Sequence, residues 1–132
     1  RTNLGDTRTR SCYPFRTMVD AGVRVALSTD APATSWAVPS DPFPNLKSAI
    51  TRRAHTGFDF GQDERLSREE ALSRYTREAA SVVGFEGLGM LCAGYKASFA
   101  VLDRDLLTVP EDEIDKMQVT ATYIRGKKVF EA

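Results

Sequence analysis

The amino-acid sequence predicts an α/β protein that ends in a small antiparallel sheet, and three features carry that prediction. A helical segment that closes with a glycine leads directly into a short apolar run at residues 23–28, which is the pattern of repeating units in parallel sheets. Residues 45–54 and 67–83 then place apolar side chains at helical spacing. Residues 119–125 instead alternate with a period of two, which indicates a strand of an antiparallel sheet.

The bulk composition sets the size of the protein and excludes several classes of partner. The 132 residues suffice for one domain with a buried core, but a complete eight-stranded α/β barrel takes about 250. Lys plus Arg and Asp plus Glu number 18 each, so no overall field attracts nucleic acid or an anionic membrane. No apolar run approaches the roughly 18 residues of a membrane span. We therefore expect a cytoplasmic protein without nucleic-acid or membrane partners.

The two cysteines and the first residues bear on the origin of the chain. Cys12 and Cys92 lie far apart, and neither belongs to a CxxC pair or a zinc cluster. We expect two reduced thiols, with a disulfide as the alternative. Residues 1–10 begin with Arg1 and have no apolar pattern. We therefore expect that the chain is part of something longer.

The first predicted helix and strand lead directly to an acid. Residues 14–22 predict a short helix, because a proline begins the segment, apolar residues recur at helical spacing and a glycine closes it. The apolar run that follows ends at Asp30, and Pro32 comes soon after. Buried parallel strands deliver their last residues to the edge where α/β enzymes keep their chemistry. Asp30 is therefore the candidate site residue, with a carboxylate that only caps the next turn as the alternative.

The segment after Asp30 predicts a loop followed by a helix. Residues 31–44 hold four prolines and Trp36, so they cannot form regular structure. We interpret Trp36 as an anchor of this loop, with a wall of a substrate pocket as the alternative. The helix at residues 45–54 is predicted to end near Gly57. Arg52 is expected on its solvated face, with a contact to an acidic substrate group as the alternative.

The second half of the chain predicts one long helix and then turns and strands. Ser67 and Glu70 have the spacing of a capping box at the start of a helix that runs to Gly84. The remaining predicted elements are a glycine-rich turn region at residues 84–94, a strand at 97–103, an acidic helical turn at 110–114, and a hairpin of residues 119–125 and 128–130 around Gly126.

The order and spacing of these motifs resemble the last barrel strand and the following residues of the amidohydrolase superfamily, especially its YtcJ-like branch. The resemblance covers nearly the whole chain. The matching segments are Tyr13-Pro14-Phe15-Arg16, residues 20–32, Asp41-Pro42-Phe43, residues 49–53, residues 66–72, Tyr75-Thr76, Ala79-Ala80, residues 88–103 and residues 122–129.

The resemblance implies a fold, an activity and a role for Asp30. That family has a TIM barrel with an appended β-sandwich, so residues 1–84 would be the end of the barrel and residues 85–132 part of the sandwich. Its known activity is hydrolysis of amide-type C–N bonds in small molecules by metal-activated water. Asp30 matches the Asp of the final strand, which implies a catalytic role and a contact with zinc or another divalent metal.

The metal ligands that the family carries on other strands cannot be mapped here, and they include a His-x-His pair. The only histidine is His55, which we interpret as a helix-terminal residue rather than a ligand. A catalytic zinc ordinarily takes three protein ligands. We therefore expect the isolated chain to lack bound metal and hydrolase activity.

Two hypotheses for function remain. The chain is either a carboxyl-terminal fragment of a metal-dependent hydrolase, or a free-standing, non-catalytic assembly module derived from that family. A lone barrel strand leaves backbone edges and apolar surface without partners, so both hypotheses predict a homo-oligomer.

Overall fold

The computed structural model describes residues 5–30, 40–54 and 56–132, and this part of the chain is an α/β structure with one three-stranded sheet. Two short 3₁₀ helices, Gln62–Glu64 and Glu111–Lys116, join the larger elements. Those elements are α1 (Gly5–Arg10), α2 (Phe15–Asp20), α3 (Phe43–Thr51), α4 (Arg68–Tyr75), α5 (Arg77–Val82), β1 (Phe99–Leu102), β2 (Val119–Ile124) and β3 (Lys127–Glu131).

The carboxyl-terminal sheet confirms the hairpin that the alternating pattern predicts. The strands lie in the order β1-β2-β3, and both pairs are antiparallel. Arg125 and Gly126 connect β2 to β3 with φ values of 50° and 79°, and two successive positive φ angles are the geometry of a tight hairpin turn. Phe99 lies opposite Tyr123, and their rings stack with centroids 4.7 Å apart. This ring pair helps to hold β1 against β2.

The core lies between α3 and the segment that leads into β2. Helix α3 presents one apolar face, because its buried residues recur at helical spacing. Lys47 fastens the same helix from outside, since its Nζ donates to the Asp112 carbonyl at 3.1 Å and pairs with Asp115 at 2.9 Å. The buried cluster comprises Phe43, Leu46, Ala49, Ile50, Leu66, Ala71, Leu106, Val109, Ile114 and Met117.

Helix α4 begins with the predicted capping box. The Ser67 hydroxyl accepts a hydrogen bond from the Glu70 N–H at 3.1 Å, and the Ser67 N–H donates to the Glu70 carboxylate at 2.8 Å. The single helix predicted through residue 83 is wrong, because Thr76 (φ −120°, ψ −83°) separates α4 from α5. Gly89 lies against this break, where a Cβ atom would come within 2.8 Å of the Thr76 carbonyl oxygen. The break between α4 and α5 therefore coincides with the close approach of Gly89, which belongs to a later segment of the chain.

The strand predicted at residues 23–28 is not formed in the part of the chain that the structure describes. Residues 23–30 have no regular secondary structure and belong to no sheet. Their main chain is instead held locally, with the Leu27 N–H donating to the Arg74 carbonyl at 3.1 Å and the Val23 N–H to Met18 at 2.9 Å. The apolar run favours a strand, but a parallel strand also needs a neighbouring strand, and the described residues provide none for it.

Two helix boundaries differ from the sequence prediction. Residues 5–10 form α1 although they show no apolar pattern. Helix α3 ends at Thr51 rather than at residue 54, because Arg52 takes the left-handed conformation (φ 50°, ψ 37°) while its N–H still donates to the Ser48 carbonyl. Gly57 therefore does not end the helix, and His55 lies outside the described residues.

Arg52 is fully buried, so its predicted position on a solvated face is wrong. Its Nη2 donates to the Cys12 carbonyl at 2.7 Å and to the Phe60 carbonyl at 3.0 Å, and its Nε donates to the Gly61 carbonyl at 3.1 Å. The guanidinium also lies 4.3 Å from the Phe60 ring centroid and 5.5 Å from that of Phe15. The Arg52 side chain thus connects the end of α3 to the turn before α2 and to the loop that contains Phe60 and Gly61.

Two carboxylates fix α2 to its neighbours. Glu70 accepts from the Ser67 N–H and from Arg16, whose Nη1 lies 2.9 Å from both carboxylate oxygens. Glu64 accepts from the hydroxyl and from the N–H of Thr17. The Ser67 N–H is the main cause that lowers the pKa of Glu70, and the Thr17 hydroxyl is the main cause that lowers the pKa of Glu64.

None of the helices in the described ranges is long and apolar enough to cross a membrane.

We predict that Arg52→Met lowers the free energy of unfolding by about 3 kcal/mol, because three partly buried carbonyls lose their donor at about 1 kcal/mol each. Urea denaturation measures the loss. The exposed neighbour Arg53 provides the control, since Arg53→Met removes the same group from the surface and is expected to cost less than about 0.5 kcal/mol. Equal losses for the two variants would contradict the stabilising role of the hydrogen bonds that Arg52 donates.

We predict that the chain loses stability in acid through Glu64 and Glu70. Their folded pKa values lie below the ordinary 4.5, so the unfolded chain takes up protons at a higher pH. The stabilisation is complete above pH 4.5 and is lost as the pH falls through the lower folded pKa. Thermal unfolding between pH 3 and 7 measures this. Glu70→Gln should flatten the profile, whereas the exposed Glu86→Gln should leave it unchanged; equal profiles for both would refute the assignment.

Candidate active site

A cavity of about 480 Å³ opens beside the end of the segment at residues 23–30. Its wall is built by the turn before α2, by the end of that segment, by one face of α3 and by the loop after α3. The lining residues are Tyr13, Phe15, Ala26, Leu27, Ser28, Thr29, Asp30, Asn45, Ser48, Ala49, Arg52 and Phe60.

Asp30 is exposed at the edge of this cavity. Its backbone is left-handed with φ 55°, which is uncommon for a residue other than glycine. The Asp30 N–H donates to the Ser28 hydroxyl at 3.2 Å, and the Ser28 carbonyl accepts from Asn45 Nδ2 at 2.9 Å. Helix α3 therefore fixes the backbone just before the carboxylate. The alternative in which Asp30 caps the next turn falls on residues 31–39, which lie outside the described residues.

Helix α3 contributes a polar face to the cavity that the sequence analysis missed. Asn45, Ser48 and Arg52 line the cavity; the spacing of Asn45 and Ser48 places them on one side of α3, and Arg52 follows directly after its end. The opposite side carries the core residues. This regular polar stripe was the signal that the sequence offered. Burial is the main cause that raises the pKa of the nearby Tyr75 phenol.

The aromatic residues of the cavity were also missed as site residues. Tyr13 and Phe15 flank Pro14, and their ring centroids lie 6.1 Å apart. Phe60 comes from the loop after α3 and lines the same cavity, and its ring lies against the Arg52 guanidinium. No local sequence signal links Phe60 to Tyr13. Trp36, which the sequence analysis interprets as a loop anchor with a pocket wall as the alternative, lies outside the described residues.

Asp30 is the only acidic residue that lines the cavity among those described, and the lining includes no histidine or cysteine. The described residues contain no group of three His, Cys, Asp or Glu side chains that could hold a metal ion. A carboxylate is a suitable ligand for a divalent metal, but a catalytic zinc ordinarily takes three protein ligands. The donor set of these residues therefore supplies one ligand and does not make a complete metal site.

Comparisons with known proteins identify relatives of this chain. An N-substituted formamide deformylase of Arthrobacter pascens is 34% identical over 120 residues, which are 90% of this chain and 21% of that protein. YtcJ of Bacillus subtilis (strain 168), which is named as an amidohydrolase, is 28% identical over 132 residues, which are 97% of this chain and 24% of that protein. No solved structure gives a significant match.

A third relative and the family profile agree with these two matches. An imidazolonepropionase of Bdellovibrio bacteriovorus is 32% identical over 128 residues, which are 95% of this chain and 27% of that protein. The chain thus spans about a quarter of the length of the curated relatives that it matches. The profile described as "Amidohydrolase family" matches residues 2–130. The resemblance read from the motifs is confirmed, and the chain belongs to the amidohydrolase family.

Proposed function

We propose that this chain is the carboxyl-terminal portion of a hydrolase that cleaves amide-type C–N bonds, with Asp30 at its reaction centre. The observation that carries the proposal is the position of Asp30, whose carboxylate follows an apolar segment and lies at the edge of a cavity. Family membership and the names of the relatives support hydrolysis as the reaction.

In this proposal residues 23–28 are the last strand of a barrel whose other strands lie outside these residues. Their position outside the sheet of the described residues supports this, since an apolar run of this kind forms a parallel strand only beside neighbouring strands. Residues 1–84 then belong to the barrel and residues 85–132 to the appended sandwich. Every residue of β3 is exposed, which fits a strand that further strands cover.

Asp30 is suited to proton transfer in this reaction. An ionised carboxylate at the edge of a cavity can take a proton from the attacking water and give it to the leaving nitrogen. The C–N bond breaks, the carbonyl carbon gains the hydroxyl of water, and the carboxylate ends in its original ionisation state. Zinc or another divalent metal would make the water more acidic. Asp30 would supply one ligand, and we place the others in parts of the protein outside these residues.

The alternative is a non-catalytic assembly module derived from the same family. Large apolar side chains exposed around α5 and the following turn favour it, and they include Val83 at 60%, Phe85 at 61% and Leu91 at 70%. Surfaces of this kind mark contacts with other chains. Under either hypothesis we propose that the isolated chain forms a homo-oligomer.

We predict that Asp30→Asn lowers amide hydrolysis by about 10²- to 10⁴-fold in a protein that joins this chain to its upstream coding sequence, because general acid–base catalysis contributes that much. Initial rates on a small formamide measure the effect, and circular dichroism checks the fold. Asp63→Asn, at an exposed acid of the Gln62–Glu64 helix, is the control. Unchanged hydrolysis in Asp30→Asn would rule out the assigned role.

The upstream sequence and the isolated chain test the remaining part of the proposal. We expect an in-frame His-x-His upstream, and we expect no stoichiometric zinc in the isolated 132-residue chain by atomic absorption. Zinc binding and amide hydrolysis by the isolated chain, both abolished by Asp30→Asn, would show that no outside ligands are needed.

We predict that the isolated chain sediments as a defined oligomer, because β3 is an exposed edge strand. Analytical ultracentrifugation measures its mass. Val129→Lys, which places a charge on an apolar position of this edge, should shift the chain toward monomer, whereas the same change at exposed Leu107 serves as the control. A monomer at all concentrations would contradict the prediction.

A further inference from the structure

We propose that the cavity beside Asp30 accepts a neutral amide with a flat aromatic substituent, and that Tyr13 is the residue that contacts this substituent. The inference rests on the proposed function, because it names the substrate class of the same site. Three observations carry it: the backbone of Tyr13, the aromatic wall around it, and the hydrogen bonds that occupy Arg52.

Tyr13 has an unusual combination of strain and exposure. Its φ of 52° is left-handed, a conformation that bulky residues rarely adopt. Its side chain is 72% exposed, so packing of the ring does not compensate for the strain. The turn is instead held from both sides, because the Cys12 carbonyl accepts from Arg52 and the Tyr13 carbonyl accepts from the Phe15 N–H at 2.8 Å. Strain maintained by the surroundings at an exposed ring is typical of a functional position.

The exposed ring belongs to an aromatic wall. Tyr13 and Phe15 are tilted by 39° with centroids 6.1 Å apart, and Phe60 lines the same cavity. The Arg52 guanidinium lies over the rings of Phe15 and Phe60, which keeps both in place. Such rings favour a flat partner, because aromatic pairs gain energy beyond the area that they bury.

The aromatic and the polar residues that line the cavity match the two halves of an aromatic amide. The aromatic wall offers contacts to a ring, and the other part of the lining offers the carboxylate of Asp30 and the polar side chains of Asn45 and Ser48. The volume of about 480 Å³ lies in the range of small-molecule sites. A substrate that spans both parts would hold its C–N bond near Asp30 and its ring against Tyr13.

The charges of the cavity favour a neutral substituent. Arg52 commits Nε and Nη2 to three main-chain carbonyls, so these donors are not free for an acidic group. The charges of Arg52 and Asp30 are of opposite sign, so the cavity has no net charge that would attract an ionic substituent. The aromatic ring is therefore the feature that distinguishes the preferred amide.

Binding to the 132-residue chain tests the proposal with three probes that share one acetyl amide. Acetanilide carries a flat ring, N-cyclohexylacetamide carries a ring of similar size that is not flat, and N-methylacetamide carries neither. Titrations followed by amide chemical shifts should give acetanilide a Kd at least about fivefold lower than the other two. Equal Kd values for acetanilide and N-cyclohexylacetamide would overturn the aromatic preference.

Variants of Tyr13 separate recognition from structure. Tyr13→Phe should keep the preference, and Tyr13→Gly should remove it without lowering Tm, because glycine adopts φ 52° without strain. Tyr95→Ala is the matched control, since Tyr95 is an exposed tyrosine of a different cavity. A Tyr13→Gly variant that loses several degrees in Tm would show that Tyr13 is a structural anchor and would overturn the proposal.

The failure of this inference can be distinguished from failure of the proposed function. The acetanilide titration is run with EDTA and repeated with Asp30→Asn, so it needs neither metal nor hydrolysis. A preference that persists in both conditions supports the aromatic site even where the longer protein hydrolyses no amide. Hydrolysis of acetanilide with a KM that Tyr13→Gly leaves unchanged would overturn the inference and leave the proposed function standing.

Discussion

The buried guanidinium of Arg52 is the interaction on which the rest of this structure depends. It bonds to the carbonyls of Cys12, Phe60 and Gly61, and so joins the turn before α2, the end of α3 and the loop that follows. Burying a cation is costly, and desolvation is the main cause that lowers the pKa of Arg52. Three carbonyl dipoles and the face of Phe60 offset that cost. Without them the walls of the cavity would have no common support.

Sequence reasoning succeeded where the signal is local. The capping box at Ser67 and the hairpin turn at Gly126 each depend on a few neighbouring residues, and the structure contains both. It failed where distant residues decide. The burial of Arg52 needs carbonyls from two other segments, and the break at Thr76 coincides with the approach of Gly89. The strand predicted before Asp30 is not formed among the described residues, because pairing is a property of neighbouring strands that the apolar run itself does not encode.

The candidate site shows the same division. Asp30 could be picked out because an acid at the end of an apolar run, followed by a proline, is visible in one short window. Tyr13 and Phe60 could not, since 47 positions separate them and only the folded chain brings both to one cavity. The carboxylate of the site can therefore be predicted from the sequence, whereas its aromatic wall cannot. Membership of the amidohydrolase family gives the carboxylate its context, whereas the wall follows from the folded geometry of Tyr13, Phe15 and Phe60.

The ion pair between Arg16 and Glu70 has a consequence for how the helices open and close. Glu70 is already oriented by its own capping box when α2 docks, because the Ser67 N–H holds the same carboxylate. Ordering the Glu70 side chain therefore costs conformational entropy only once, although this side chain makes two contacts. Fraying the first turn of α4 releases Arg16, and undocking α2 loosens the cap. The two helices are therefore one cooperative unit, and their amide protons should exchange with solvent together rather than helix by helix.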